Sequence, residues 1–215
     1  MGELHRFIQV VLLALMTLGV AGCGGEPTFS PLPPGSSVLA LGDSVTRGTG
    51  AAEGEDYPSR LAEISGWTVH NHGVPGDTTA GAKARIADAL EETQPRLVIV
   101  EIGGNDFLRR RPETEIRENI SSILKTIKRA GIPVVLVSTP RFSLLGAATG
   151  SLPDAELYAD LAEAEVVPLI PDVFADVLSD PSLKSDQVHP NAAGYRQLAE
   201  GIAAELMETG LLAPR

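Results

Sequence analysis

The chain has 215 residues, of which 43% are hydrophobic and 21% charged, and its formal net charge is −11. That is enough apolar material for the core of one globular domain. The negative charge argues against nucleic acid as a partner, because phosphate binding is driven by clustered Lys and Arg, and the one basic run, Arg109 to Arg111, reads as a solvated loop.

Behind Arg6, residues 7–20 (FIQVVLLALMTLGV) form a mostly apolar run, and VAGC follows at 20–23. Together they read as an export signal. The run is short of the ~20 apolar residues that a membrane-spanning helix needs. Glu3 offsets Arg6, so the leading segment is only weakly basic. Cys23 is the only cysteine, which leaves no intramolecular disulfide possible. VAGC resembles the lipobox of bacterial lipoproteins. That resemblance implies cleavage after residue 22, lipidation of Cys23, and an exported protein anchored by lipid to a membrane of the bacterial cell envelope. Residues 24–37 (GGEPTFSPLPPGSS) are rich in Pro, Gly and Ser without apolar periodicity, as in a tether. The expected organisation is a signal peptide over 1–22, a lipid-attached cysteine and flexible tether over 23–37, and one folded domain over 38–212.

After the tether, β-rich apolar runs alternate with amphipathic segments. SVLALG (37–42), WTVHN (67–71), RLVIVEI (96–102), PVVLVS (133–138) and EVVPLI (165–170) are predicted strands. Helices are predicted over 57–65, 78–92, 113–131, 153–164 and 190–210. Strands this continuously apolar are covered on both faces, and their alternation with helices predicts a three-layer α/β/α sandwich around a mostly parallel, five-stranded sheet. No internal repeat is visible.

Ligands of such sheets bind outside the carboxyl ends of the strands. Ser44 follows the first strand, Gly73 the second, and GGND (103–106) the third, so Ser, Gly and Asn are expected on one rim. A serine hydroxyl becomes a competent nucleophile only when a base takes its proton. Four histidines could do so, His5, His70, His72 and His189. His5 lies within the export signal. His70 and His72 flank Asn71 on a strand, where packing or hydrogen bonding is the ordinary role. His189 stands in SDQVHPNAAGY (185–195), with Asp186 three residues upstream and Pro190 suited to the first turn of the last helix. In that loop the Asp186 carboxylate can hold Nδ1–H and leave Nε2 free for the serine. Taken alone, the same spacing also suits a turn cap and a helix cap.

These blocks, LALGDSVTRGTG, NHGVPGDTT, EIGGNDFL and DQVHPNAAGY, resemble in content and order those of the GDSL or SGNH hydrolase family, particularly its bacterial thioesterase/lysophospholipase and arylesterase branch. They span residues 39–195. The resemblance implies a flavodoxin-like fold, Ser44 as nucleophile, His189 as general base and then acid, and Asp186 as its orienting partner. It also implies an oxyanion hole of the Ser44 and Gly73 N–H groups with the Asn105 side-chain amide. Val45 stands where the family usually has Leu, a conservative departure. Asp43 reads as a structural hydrogen-bonding residue.

Competing motifs fail on spacing. An α/β-hydrolase elbow needs glycine where Thr46 stands, GDTTAGAK (76–83) has Ala82 in place of a phosphate-loop lysine, and GTGAAEG (48–54) misses the dinucleotide fingerprint. No cluster has metal-ligand spacing, so neither a metal nor another cofactor is expected. The leading expectation is therefore a serine esterase or thioesterase acting on small acyl esters, lysophospholipids among them, through an acyl-enzyme. The alternatives are an O-deacetylase of cell-envelope glycans and an inactive envelope binding module. The stretch 140–154 (PRFSLLGAATGSLPD) is too apolar for a solvated loop: either it walls the acyl side of the site, which would favour medium acyl chains over acetyl, or its leucines pack under the loop as core.

Overall fold

The computed structural model describes residues 29–141 and 152–214. The expected export signal, Cys23 and the loop residues 142–151 lie outside the described residues. Five strands, β1 (Ser37–Gly42), β2 (Thr68–Gly73), β3 (Leu97–Glu101), β4 (Val134–Val137) and β5 (Leu169–Ile170), form one sheet in the order β2-β1-β3-β4-β5. Every pairing is parallel. The described helices are α1 (Ser44–Arg47), α2 (Tyr57–Ser65), α3 (Thr79–Thr93), α4 (Gly104–Leu108), α5 (Glu113–Arg129), α6 (Leu157–Glu165), α7 (Val173–Ser179) and α8 (Ala192–Glu208).

Strand alternation sorts the apolar side chains into two cores. Val38, Ala40, Leu97 and Ile99 join residues of α2, α7 and α8 on one face, while Leu39, Leu41, Val98 and Val100 join residues of α3, α5 and α6 on the other. This two-sided burial is why the strands read as unbroken apolar runs. The helices carry their own start signals. Asp56, Thr78 and Asn191 cap α2, α3 and α8 through side-chain oxygens that accept backbone N–H groups. In α5, Ile116, Ile120, Ile123 and Ile127 recur at helical spacing on the buried side, with Glu113 and Glu115 in the first turn and Lys128 and Arg129 in the last, matching the helix dipole.

The strand order reverses direction between β1 and β3, and this is where a doubly wound sheet opens a crevice for ligands. Ser44 follows β1 and Asn105 follows β3, so both flank that switch point.

Three expectations about elements need correction. The fifth strand is only two residues long, because α6 runs on to Glu165 and exits through Val166, whose φ of 52° turns the chain before it can extend. The last helix starts at Ala192 with Asn191 as its cap, so Pro190 precedes the helix rather than entering its first turn. The segment expected as a free tether is packed from Phe29 onward. Phe29 and Leu32 lie against the core, their N–H groups bond to Thr209 O and Leu211 O, and Leu32 O accepts the Trp67 indole N–H at 3.3 Å. Its prolines and small residues hide two apolar anchors that have no helical or strand period.

A chain starting at Ser37 should fold but lose the apolar burial of Phe29 and Leu32, about 2 kcal/mol for two partly buried side chains. Compared with a chain starting at Gly24, its thermal midpoint should fall by about 4–8 °C. Equal midpoints would return residues 29–36 to the tether.

Candidate active site

Ser44 is the first residue of α1, directly beyond β1, and Asp43 caps that turn. Asp43 is 3% exposed. Its Oδ1 accepts Val45 N–H and its Oδ2 accepts Asn105 Nδ2, both at 3.0 Å. One carboxylate thus joins the end of β1 to the end of β3, as the structural reading of Asp43 anticipated. Of the two amide hydrogens of Asn105, one is engaged by Asp43 and the other remains for a ligand.

His189 Nε2 stands 2.9 Å from Ser44 Oγ, and His189 Nδ1 stands 2.7 Å from Asp186 Oδ2. The other Asp186 oxygen accepts the backbone N–H groups of Val188 and His189, both at 2.8 Å, so the loop closes on the carboxylate that orients its histidine. Partial burial pushes the Asp186 carboxyl up, but the hydrogen bonds from His189 and Val188 outweigh it and hold it below the usual aspartate range. Ser185 N–H bonds to His189 O, and Asn191 Nδ2 donates to Ser182 O, which fixes the loop to the start of α8. Chemically, this chain of groups can take a proton from Ser44 Oγ and return it to a leaving group.

His70 and His72 lie on edge strand β2 and take no part in this chain. Burial pushes the His72 imidazole below its ordinary value.

The structure does not place Gly73 as the sequence suggested. Its N–H donates to Asn71 Oδ1 at 3.0 Å, and a Cβ there would stand 2.1 Å from Arg47 N and 2.7 Å from Thr46 C. The close approach that requires glycine is to the backbone of the serine turn, not to a substrate. Gly76, which sequence reasoning missed, lines the cavity beside Ser44 instead. Val74, Pro75, Gly76 and Asp77 form a tight turn in which Asp77 N–H bonds to Val74 O at 3.0 Å and Gly76 has φ 79°. Pro followed by a positive-φ glycine is the type II signature, legible in VPGD. Gly76 N–H takes no part in that turn's own hydrogen bond, so it is available beside the cavity.

The cavity over Ser44 is about 240 Å³, walled by Val45, Pro75, Leu108, Phe174 and Val188, with Asn105, Gly76 and His189 at its polar side. Phe174 comes from α7, a helix with no clear sequence signal, because seven residues give too few turns for a periodic pattern. Among the described residues no group of three His, Cys, Asp or Glu is placed to hold a metal.

Beneath the serine turn lies Glu101, the last residue of β3, 1% exposed and also bordering the cavity. Its Oε2 accepts the Thr46 hydroxyl at 2.9 Å, while its Oε1 is buried without a partner among the described residues. Burial, and then the neighbouring Asp43 charge, push the Glu101 carboxyl well above the usual range. Burial also raises Asp43, to about 6, against the hydrogen bonds from Val45 N–H and Asn105. Asp43 has a donor on each oxygen, whereas Glu101 Oε1 has none among the described residues, so the charge of the pair belongs on Asp43 and the proton on Glu101.

The folded state therefore binds a proton at Glu101 that the unfolded chain releases near the ordinary value. Stability from this neutral form is fully present below that value and declines as pH rises towards the folded one. Glu101→Gln, which fixes the neutral form, should melt at a higher temperature than the parent at pH 8. The gap should close as pH falls towards ~4.3, the free glutamate value. Melting curves for the two proteins at pH 4.5 and 8 test this; a lower melting temperature for Glu101→Gln at pH 8 would mean that Glu101 is ionised and partnered.

Comparison with known proteins agrees with this geometry. Residues 40–197 match the model of the GDSL-like Lipase/Acylhydrolase family. An arylesterase of Vibrio mimicus is 31% identical over 80% of this chain and 88% of its own. Thioesterase 1/protease 1/lysophospholipase L1 of Escherichia coli K12 is 30% identical over 79% of this chain and 83% of its own. The crystal structure of AlinE4, a SGNH-hydrolase family esterase, superposes with a TM-score of 0.62 at 32% identity, covering 86% of this chain and 100% of AlinE4. The stretch matched by the family model contains Ser44, Asn105, Asp186 and His189, and by that match this chain belongs to the GDSL-like lipase/acylhydrolase family.

Proposed function

We propose that the protein hydrolyses small acyl esters or thioesters through an acyl-enzyme on Ser44. The observation that carries this reading is the run from Ser44 Oγ to His189 Nε2, 2.9 Å, and from His189 Nδ1 to Asp186, 2.7 Å, opening into an apolar cavity. Ser44 Oγ attacks the carbonyl carbon while His189 Nε2 takes its proton, and the carbonyl oxygen becomes an oxyanion. The donors for that oxyanion are Ser44 N–H, Gly76 N–H and the free amide hydrogen of Asn105. The bond to the leaving oxygen or sulfur then breaks as imidazolium Nε2–H protonates it. A water molecule, deprotonated by His189, attacks the acyl carbon, and Ser44 leaves with the returned proton. Asp186 keeps the imidazole oriented and balances its transient charge.

The cavity of about 240 Å³ is smaller than the roughly 300–1,000 Å³ of sites for drug-sized ligands, which favours short acyl groups. In the same reading the chain is exported and held at the bacterial envelope by lipid on Cys23, on the strength of VAGC at 20–23. Replacing Cys23 by Ser should abolish lipidation and leave the signal uncleaved, as read by mass spectrometry of the N-terminus; an unmodified mature N-terminus other than Cys23 in the parent would overturn the anchor.

Ser44→Ala and His189→Ala should each lower turnover by several orders of magnitude with unchanged circular dichroism, and the double variant should be little worse, because the members act as a unit. Asn105→Ala should lower kcat by about 10²–10³, the usual size for one lost oxyanion donor. The measurement is steady-state hydrolysis of p-nitrophenyl and thioester substrates of graded chain length, with an acetylated glycan beside them. Near-parent ester hydrolysis by folded Ser44→Ala would sink the reading.

A further inference from the structure

The segment GDTTAGAKAR, residues 76–85, looks in sequence like a failed phosphate loop. Its geometry has another purpose. Arg85, on α3, sends its guanidinium in three directions: Nε to Asp77 Oδ2 at 2.8 Å, Nη1 to His72 O at 3.0 Å, and Nη2 to Gly42 O at 2.8 Å. Gly42 ends β1 and stands two residues before Ser44. His72 lies near the end of β2, and Asp77 closes the turn that presents Gly76 to the cavity.

Gly42 O also accepts Val74 N–H at 3.1 Å, so the turn is tied to the end of β1 at its start and, through Arg85, at its finish. The Asp77 carboxylate is correspondingly crowded. Its Oδ1 accepts Thr78 N–H at 2.9 Å, and a Cβ on Gly81 would stand 1.8 Å from that oxygen. Gly81 therefore makes room for Asp77, which holds Arg85. The side chains of Arg85 and Asp77 are 24% and 11% exposed, so the contact is largely shielded from water. Only a planar guanidinium reaches three acceptors in this way; an ammonium on a flexible stem cannot reproduce it.

We propose that Arg85 is a positioning residue for the oxyanion hole, clamping the strand end that carries Ser44 to the turn that carries Gly76. This rests on the reading of Ser44 and Gly76 as oxyanion donors. Arg85 touches no substrate and acts by fixing the distance between two backbone N–H groups that the chain supplies from separate strand ends. Its effect belongs to the tetrahedral species rather than to the bound ester, because only that species carries the charge these donors receive.

The test is a comparison of kcat, KM and inhibition by butylboronic acid, which forms a tetrahedral adduct on a nucleophilic serine. Arg85→Gln should lower kcat by about 10–10²-fold, the scale of a misplacement near 1 Å. KM should stay within a factor of about two, and boronate affinity should weaken in parallel with kcat/KM. Arg85→Lys should fall between the parent and Arg85→Gln. If Arg85→Gln does not fold, Gly81→Ala, which displaces the Asp77 carboxylate while keeping both charges, should show the same pattern in weaker form. Parent kinetics in these folded variants would overturn the proposal, as would a KM rise at constant kcat, or lost kcat with boronate affinity intact. Ser44→Ala separates the two claims: activity surviving there defeats the reading of the site, whereas normal kinetics in the Arg85 and Gly81 variants defeats only the clamp.

Discussion

The Asp43 carboxylate is the contact on which the site depends. It is buried, yet both of its oxygens are occupied, one by the turn that begins with Ser44 and the other by the Asn105 amide. A buried carboxylate is tolerated when it is hydrogen-bonded in this way. Because β1 and β3 are neighbours, the same contact sets the serine and the amide at a fixed separation across the switch point of the sheet. Glu101 below holds a proton rather than a second charge, since burial and the neighbouring Asp43 both disfavour its anion.

The second half of the site arrives from the other end of the chain. The loop before α8 folds on Asp186, and α8 is docked by Tyr195, whose buried ring sits in the core and whose hydroxyl donates to Thr49 O at 2.7 Å. That bond ties the helix behind His189 to the loop behind Ser44. Around Ser44, the backbone approaches so closely that side chains are excluded, as at Gly73 against Arg47. The serine is therefore held by strand ends, a carboxylate and a helix at once, with little freedom left to its turn.

Much of this was legible in the sequence because burial writes a period. The strands of the sheet interior, β1, β3 and β4, are buried on both faces and read as plain apolar runs, and α5 carries its isoleucines at helical spacing. Ser44, Asn105, Asp186 and His189 were found from the motif blocks and lie together as expected. What was misread had local signals with two meanings. Gly73 and Gly76 sit three residues apart in one block, and only the Asn71 hydrogen bond and the turn at 74–77 distinguish a packing glycine from one facing the cavity. The apolar run at 165–170 looked like a strand but is mostly a helix exit, and Phe174 reaches the cavity from a helix too short to announce itself. Phe29 and Leu32 carry tertiary contacts inside a segment whose composition suggests none.

Ser44 and His189 are 145 residues apart in sequence. Closing so long a loop carries an entropic cost that local contacts cannot offset, and it is met only when β1, β3 and α8 are docked together. Ser44 and His189 thus cannot meet in a nascent or partly folded chain, and a chain ending before α8 lacks the docking that brings them together. Hydrolytic competence in this architecture is a property of the completed tertiary structure, which leaves the polypeptide chemically inert towards esters throughout its synthesis and any passage it makes in unfolded form.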